Sequence, residues 1–394
     1  MAVLPLFLIS LLFHAWVGWR IAPELSAWPG LAPAGMLLWA VLLGSAVLMP
    51  LGFLGRRRLR GRWAGFLTWA GLLCMGLFSS LFVLTVLRDA VLVLAWLPAL
   101  LWPEQVPMQA LHRYSAGAVP LLGLLASAWG FWSARRTARV VRVDVPIANL
   151  PPALHGFSVA QISDVHVGPT IRRGYLQRIV ERVNTLGADM VAVTGDLVDG
   201  RVAELAAHVA PLAALVSRHG TFFVTGNHEY YSGADAWITE LRRLGVQVLL
   251  NQHVVLQHGA SPGAGHAGAE LLVAGVADYG AHHFDASHRS DPQAALHGAP
   301  AHVTTRMLLA HQPRSAEAAA RAGFDLQLSG HTHGGQFWPW NHFVRFQQPF
   351  TAGLHRLHQL WIYTNSGTGY WGPPKRFFVP SEITHLRLVS APAG

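Results

Sequence analysis

The stretch FSVAQISDVHVG, residues 157–168, joins a short apolar run to a tight cluster of metal-type side chains. The arrangement recurs in MVAVTGDLVD (190–199), TFFVTGNHE (221–229), MLLAHQP (307–313) and LQLSGHTHGG (326–335). Each apolar run, FSVAQI, MVAV, TFFV, MLLA and LQL, has the length of one buried strand. Five strand ends therefore present Asp164 with His166, Asp196 with Asp199, Asn227 with His228, His311, and His331 with His333. Between these runs, apolar residues recur at helical spacing. Leu176, Ile179, Val180, Val183 and Leu186 do so before Gly187; Val202, Leu205, Val209, Leu212 and Val216 before Gly220; and Trp237, Ile238, Leu241 and Leu244 before Gly245. Strand and helix in alternation predict an α/β layered fold, in which ligands gather beyond the carboxyl ends of the strands. VQVLL, HVVLQ and ELLVAGV, within 246–277, read as antiparallel strands of a second sheet, with the Gly- and Ala-rich GASPGAGHAGA as a loop between the last two.

The chain divides in composition. Residues 1–142 hold 12 Lys and Arg against only Glu24, Asp89 and Glu104, which accounts for the whole net charge of +9; the remaining residues carry 17 of each sign. A nucleic-acid partner would need a basic stripe on the soluble half, and that half is balanced, so no nucleic acid is expected. Apolar stretches run over 1–19, 31–54, 64–87 and 115–133, each near the ~20 residues that cross a bilayer. Arg56, Arg57, Arg58, Arg60 and Arg62 separate the second from the third, and Arg135, Arg136, Arg139 and Arg142 follow the fourth. The positive-inside rule puts both clusters in the cytoplasm and makes this a multi-pass inner-membrane protein with a cytoplasmic C-terminal half. Ala90 to Trp102 is apolar but short. It reads as a re-entrant or interfacial piece, with Arg88 and Asp89 in a solvated loop ahead of it, and a fifth full span there would move the C-terminal half to the other side. Three units result: a transmembrane helical region over 1–142, a proline-rich linker over 143–156, and a catalytic domain over 157–394. The lone Cys74 lies inside the third span, so thiolate ligands are excluded and oxygen and imidazole must bind any metal.

Side chains two residues apart at a strand end point to the same side, so Asp164 and His166 can clasp one ion. Asp196 has two carboxylate oxygens and can bridge two. Asn227 supplies a neutral oxygen, His311 and His331 supply imidazoles, and His333 can turn back to the first ion. Such mixed nitrogen and oxygen sites suit two divalent ions of the Mn, Fe or Zn type. Two ions would acidify a shared water and hold the phosphoryl oxygens of an in-line displacement. His228, next to a ligand, is the candidate to protonate the leaving oxygen, with Asp199 orienting its imidazole. Glycines 195, 226, 330, 334 and 335 let the backbone turn around the ions. Eight other histidines, His253, His258, His266, His282, His283, His288, His297 and His302, lack this spacing at a strand end.

With SDVHVG, GDLVDG, GNHEYY, LLAHQP, LSGHTHGGQ and SGTGYWGPPKRF in view, residues 157–388 resemble the calcineurin-like metallophosphoesterases, in the branch of membrane-associated bacterial phosphoesterases. The resemblance implies a two-sheet β sandwich flanked by helices. It implies that Asp164, His166, Asp196 and His333 bind one metal, that Asp196, Asn227, His311 and His331 bind the other, and that His228 is the acid. The branch often has an acidic pair where this chain reads GVADY, leaving Asp278 alone, which puts a substrate contact from that segment in doubt. The expected activity is cleavage of a phosphodiester or pyrophosphate bond, extending to a lipid-linked substrate. Competing readings are a soluble-nucleotide phosphodiesterase and a non-catalytic metal-binding sensor or scaffold. For the lipid reading, Trp338, Trp340, Phe343, Phe346 and Phe350 form an aromatic rim after the ligands, extended by Tyr370, Trp371, Lys375 and Arg376.

Overall fold

The computed structural model describes residues 3–28, 30, 32–58, 62–259 and 268–391. Arg60, His266 and most of the GASPGAGHAGA loop lie outside these described residues, as do the side chains of Arg56, Arg57, Arg58 and Arg62. The chain separates into two compact units, one of 1–132 with 372–375 and one of 133–371 with 376–394.

The first unit holds helices α1 (Val3–Ser26), α2 (Ala32–Arg58), α3 (Arg62–Leu101) and α4 (Met108–Arg135). All four are long and apolar enough to cross a membrane. Ala90–Leu101 is not a separate re-entrant piece: it continues α3, whose 40 residues make one rod of about 60 Å. Nor do Arg88 and Asp89 lie in a solvated loop. Arg88 is 5% exposed, and its guanidinium donates to Asp89 and to the Ser115 hydroxyl. Asp89 also accepts two bonds from Arg20 of α1, each 2.8 Å long. In an apolar bundle such pairs hold helices in register. Small residues do the same for α2 and α3, where a Cβ on Gly71 would lie 2.4 Å from the Leu48 carbonyl. Gly372–Lys375 groups with these helices, and the Lys375 ammonium donates to the Gly76 carbonyl at 2.9 Å and to Ser80.

In the second unit two six-stranded sheets form. The first uses β1 (Arg139–Ile147), β2 (Ser158–Ile162), β3 (Met190–Val193), β4 (Thr221–Phe223) and β5 (Gln247–Val248); the second uses β6 (Gln252–His258), β7 (Ala269–Gly275), β8 (Thr305–Leu309), β9 (Leu326–Ser329), β10 (Gly353–Leu357) and β11 (Leu360–Thr364). The last strand, β12 (Glu382–Ser390), returns to the first sheet, giving the order β1-β12-β2-β3-β4-β5 beside β10-β11-β9-β8-β7-β6. Alternation decides which side chains meet. Val159, Met190 and Ala192 face Leu271, Val273, Met307 and Leu309 between the sheets. Ala160, Ile162, Val191 and Val193 point the other way, toward α5 (Arg173–Asn184), α6 (Val202–Val209) and α8 (Ala234–Arg243), while a six-residue α7 (Asn227–Ser232) follows β4. On the outer face of the second sheet, Leu272, Ala274 and Leu308 pack with Ala316 and Ala319 of α9 (Ala316–Ala322). This is the two-sheet sandwich with helices outside that the resemblance implies.

Two local expectations change. VQVLL was expected in the second sheet, yet its Gln247–Val248 pair lies parallel to β4 at the edge of the first. Val143–Ile147, expected in the linker, are strand residues of β1 in parallel register with β12. Both changes come from pairing with chain that is remote in sequence, which local patterning does not report.

Trp237 of α8 is fully buried and its indole N–H donates to the Gly200 carbonyl at 2.9 Å. Trp237→Ala should therefore destabilise the second unit by about 3–5 kcal/mol. Trp237→Phe should cost about 1 kcal/mol for the lost hydrogen bond together with some lost packing. Denaturant midpoints of the detergent-solubilised chain should rank wild type, Trp237→Phe, Trp237→Ala; equal midpoints for wild type and Trp237→Ala would refute the packing assigned to α8.

Candidate metal centre

The five motifs leave the carboxyl ends of β2, β3, β4, β8 and β9, and at that edge the backbone is strained. Among the described residues ten non-glycine residues have positive φ, and five are candidate ligands: Asp164 (54°), His166 (55°), Asp196 (51°), His331 (71°) and His333 (51°). A left-handed conformation outside glycine costs of order 1–3 kcal/mol and persists where the surroundings over-determine it. Here they do. Asp164 N donates to the Gly195 carbonyl and His166 N to the Asp196 carbonyl, so the first loop lies along the second. Fully buried Gln161 joins the two sheets beneath them, its amide donating to Thr194 Oγ1 and to the Ser329 carbonyl, both at 2.9 Å.

Among the described residues three groups of ligand-type atoms result: Asp164, His166 and His333; Asp196, His311 and His331; and His166, Asp196 and His228. His166 Nε2 faces His333 Nε2 at 3.0 Å, and His331 Nδ1 faces His311 Nε2 at 3.2 Å. Asp196 Oδ2 stands between the groups, 3.2 Å from His311 Nε2 and 3.9 Å from both His166 Nε2 and His228 Nε2. Asn227 Oδ1 is buried with no hydrogen-bond partner, which marks it as an oxygen that a cation would satisfy. The donor set is imidazole nitrogen, carboxylate and amide oxygen, and it fits divalent transition ions. Supporting contacts aim these groups: Ser163 Oγ donates to Asp164 Oδ2 at 2.5 Å, and His311 Nδ1 donates to the Thr194 carbonyl at 2.7 Å.

Asp199 sits beside the groups. Its Oδ1 accepts from His228 Nδ1 at 2.5 Å and lies 3.3 Å from His166 Nδ1. Burial would raise its carboxyl, but His166 and then His228 hold it well below the usual carboxylate range. Burial would lower His228 as well; Asp196 and Asp199 outweigh that and push it up to about 9. His331 goes the other way, down to about 3, through burial and then the neighbouring His311.

The roles of two residues were absent from the sequence reading. Glu229 is fully buried, and its carboxylate accepts from the backbone N–H groups of Asp196 (2.9 Å), Leu197 (2.8 Å) and Gly226 (2.7 Å), clamping the Asp196 loop to α7. The spacing from Gly226 to Glu229 is that of a capping box, which is the signal that could have found it. Arg376, 1% exposed, donates to the carbonyls of His333 (2.9 Å), Ser366 (2.7 Å) and Gly369 (2.6 Å). It braces the ligand loop and so is not a rim cation. Tyr370 and Lys375 are also buried, which leaves Trp371 as the exposed member of that expected extension. Trp340, Phe343 and Phe346 are exposed, whereas Phe337 is buried, and Trp338 and Phe350 are half-buried. Asp278 is buried and accepts from the Gln312 amide (2.9 Å) and Gly280 N (2.8 Å), so it braces loops.

Two of the glycines serve by their missing side chain and not by turning. A Cβ on Gly226 would lie 2.2 Å from Asp196 Oδ1, and one on Gly330 would lie 2.2 Å from Asp164 Oδ2. Gly226→Ala should therefore displace the Asp196 carboxylate and lower bound Mn after dialysis to at most about half of wild type, as expected when a ligand or its support is lost. Full Mn content in a folded Gly226→Ala protein would contradict this assignment.

A profile of the calcineurin-like phosphoesterase family matches residues 157–335. A protein of Bos taurus named transmembrane protein with metallophosphoesterase domain is 38% identical over 331 residues, covering 81% of this chain and 73% of that one. One of the same name from Danio rerio is 36% identical over 297 residues, covering 73% and 65%. A metallophosphoesterase of Campylobacter jejuni is 36% identical over 258 residues, covering 65% and 64%, so the chain spans just under two thirds of these last two relatives.

Proposed function

From the premise that the chain belongs to the calcineurin-like metallophosphoesterase family and is a metal-dependent phosphoester hydrolase, we propose that it cleaves a phosphodiester or pyrophosphate bond at a two-ion centre, on a lipid-linked substrate. The position of Asp196 Oδ2 carries this reading, within 4 Å of imidazole nitrogens from three separate segments. Asp164, His166, Asp196 and His333 would hold one ion, and Asp196, Asn227, His311 and His331 the other. Bound there, two divalent ions would supply Lewis-acid charge and an acidified water.

The chain's own residues do the rest. His228 donates a proton to the leaving oxygen. Asp199 holds Nδ1, which leaves Nε2 as the donor and fixes the ring plane. Asp196 and Asp199 push the imidazole up to about 9, which favours its protonated form at neutral pH, and cations bound beside it would bring it toward the operating range. Glu229 and Arg376 keep the ligand loops in place while charge shifts. His166 is held by the same carboxylate as His228, so Asp199 ties the acid to the ligand set.

The lipid reading is supported by the four apolar helices and by exposed rings just after the ligands. Trp340, Phe343 and Phe346 stand 5.9 and 6.3 Å apart centre to centre, and the Arg345 guanidinium lies over the Phe346 ring. Aromatic rings with a basic neighbour favour the headgroup layer. The Arg clusters at each end of the α3–α4 pair support an inner-membrane location with the catalytic unit on the cytoplasmic side.

The detergent-solubilised chain, stripped of metal and re-supplied with Mn, should cleave an aryl phosphodiester. Asp196→Asn should lose bound metal and at least about 10³-fold in rate through disruption of the ion pair. His228→Ala should keep its metal and lose about 10²- to 10⁴-fold; undiminished turnover in His228→Ala would remove it as the acid. For the lipid reading, Trp340→Ser/Phe343→Ser/Phe346→Ser should slow hydrolysis of a phosphodiester lipid in anionic vesicles at least about 10-fold more than that of a water-soluble diester. Equal slowing on both would favour a soluble substrate.

A further inference from the structure

Two large rings pack edge-on against the candidate acid while leaving much of their own surface open. The Tyr231 ring lies 5.2 Å from the His228 ring at 69°, and the Trp371 ring 5.8 Å from it at 75°. Tyr231 is 64% exposed and Trp371 43%. Phe284, also exposed, extends the surface, 5.6 Å from the Tyr231 ring.

Both rings are held by backbone that belongs to the site. Tyr231 sits in α7 three residues beyond His228, so the two share a face of that helix. Trp371 is pinned from both sides of its backbone by one side chain: its N–H donates to Gln336 Oε1 at 2.8 Å, and its carbonyl accepts from Gln336 Nε2 at 2.9 Å. Gln336 ends the His333 loop with φ of 59°. The neighbouring Tyr370 is buried, its hydroxyl bonded to the Thr170 carbonyl and to Arg135. Core packing therefore explains Tyr370 and leaves Trp371 outside. Exposing two rings beside a half-buried candidate acid forgoes the gain that burying them would bring.

A proton donor must stand within hydrogen-bond reach of the oxygen it protonates, so a leaving group passes close to the surface around His228, and the exposed rings packed against that imidazole are Tyr231 and Trp371. We propose that Tyr231 and Trp371 form the leaving-group subsite, with Phe284 at its outer edge, and that this subsite selects esters whose leaving group carries an apolar face. The inference rests on His228 being the proton donor, as argued above. An alkyl chain and a planar ring share this chemistry, and they are separated by experiment.

The test uses methyl phosphodiesters of phenol, 4-butylphenol and 2-naphthol, with the Mn-loaded full chain in detergent. Wild type should show kcat/KM about 10-fold higher for at least one of the larger esters than for the phenyl ester, as an apolar pocket gives for a few added carbons. Gain with the butylphenyl ester assigns the subsite to chains, and gain with the naphthyl ester alone assigns it to planar rings. In Trp371→Ala and Tyr231→Ala the ratio should fall toward one, chiefly through KM, and Trp371→Phe should restore most of it. Bound Mn should match wild type in all three, which separates loss of the subsite from loss of the metal loops. Equal kcat/KM for the three esters in wild type, or variants that slow all three alike, overturns the subsite and leaves the hydrolase reading standing. A wild-type protein that binds Mn and cleaves none of the three overturns the phosphodiester reading, and the subsite with it.

Discussion

Burial of Asp164 and Asp196, with the half-buried Asp199 beside them, inside one cluster of imidazoles is the constraint that the rest of the catalytic unit answers. An ionised carboxylate away from water is costly unless paired and hydrogen-bonded. Asp164 is met by Ser163 Oγ and His331 N, Asp196 by His311 and His228 N, and Asp199 by His228 and His166. Cations of the kind the family uses would complete that compensation. The orphaned oxygen of Asn227 belongs to the same unfinished balance.

Placing those groups costs backbone strain, and the sandwich supports it. Five candidate ligand positions in the left-handed region would relax if their loops were free. They are held because each loop begins at the end of a buried strand, because Gln161 links one sheet to the other just below, and because Glu229 and Arg376 saturate backbone groups around the ligands. Gly226 and Gly330 admit the carboxylates where a Cβ would collide. Order in the core thus becomes precision at the site, the condition under which a candidate proton donor such as His228 can be kept beside its target.

Legibility followed locality. The runs FSVAQI, MVAV, TFFV, MLLA and LQL became β2, β3, β4, β8 and β9, because a strand buried on both faces must be apolar over most of its length whatever surrounds it. The ligand-type residues were legible because so many Asp, His and Asn side chains at strand ends have few other uses. Glu229 was passed over because GNHE reads first as a ligand pair, and its capping role shows only when the donors it serves are placed. Tyr370, Lys375 and Arg376 read as rim residues from sequence and are buried in the structure, since a polar segment near the end of a domain gives no sign of what covers it.

The amino-acid sequence alone determined the apolar helices, the alternation of strand and helix, and the five motifs, all of which are encoded within windows of one element. Only the tertiary structure decided that β1 pairs with β12, that Gln247–Val248 joins the first sheet, and that Asp199 serves two imidazoles at once. It also decided that Trp371 is exposed while its neighbour Tyr370 is buried. These are relations between segments up to some 240 residues apart. They follow from which surfaces meet when the sheets pack, and no local spacing records that meeting.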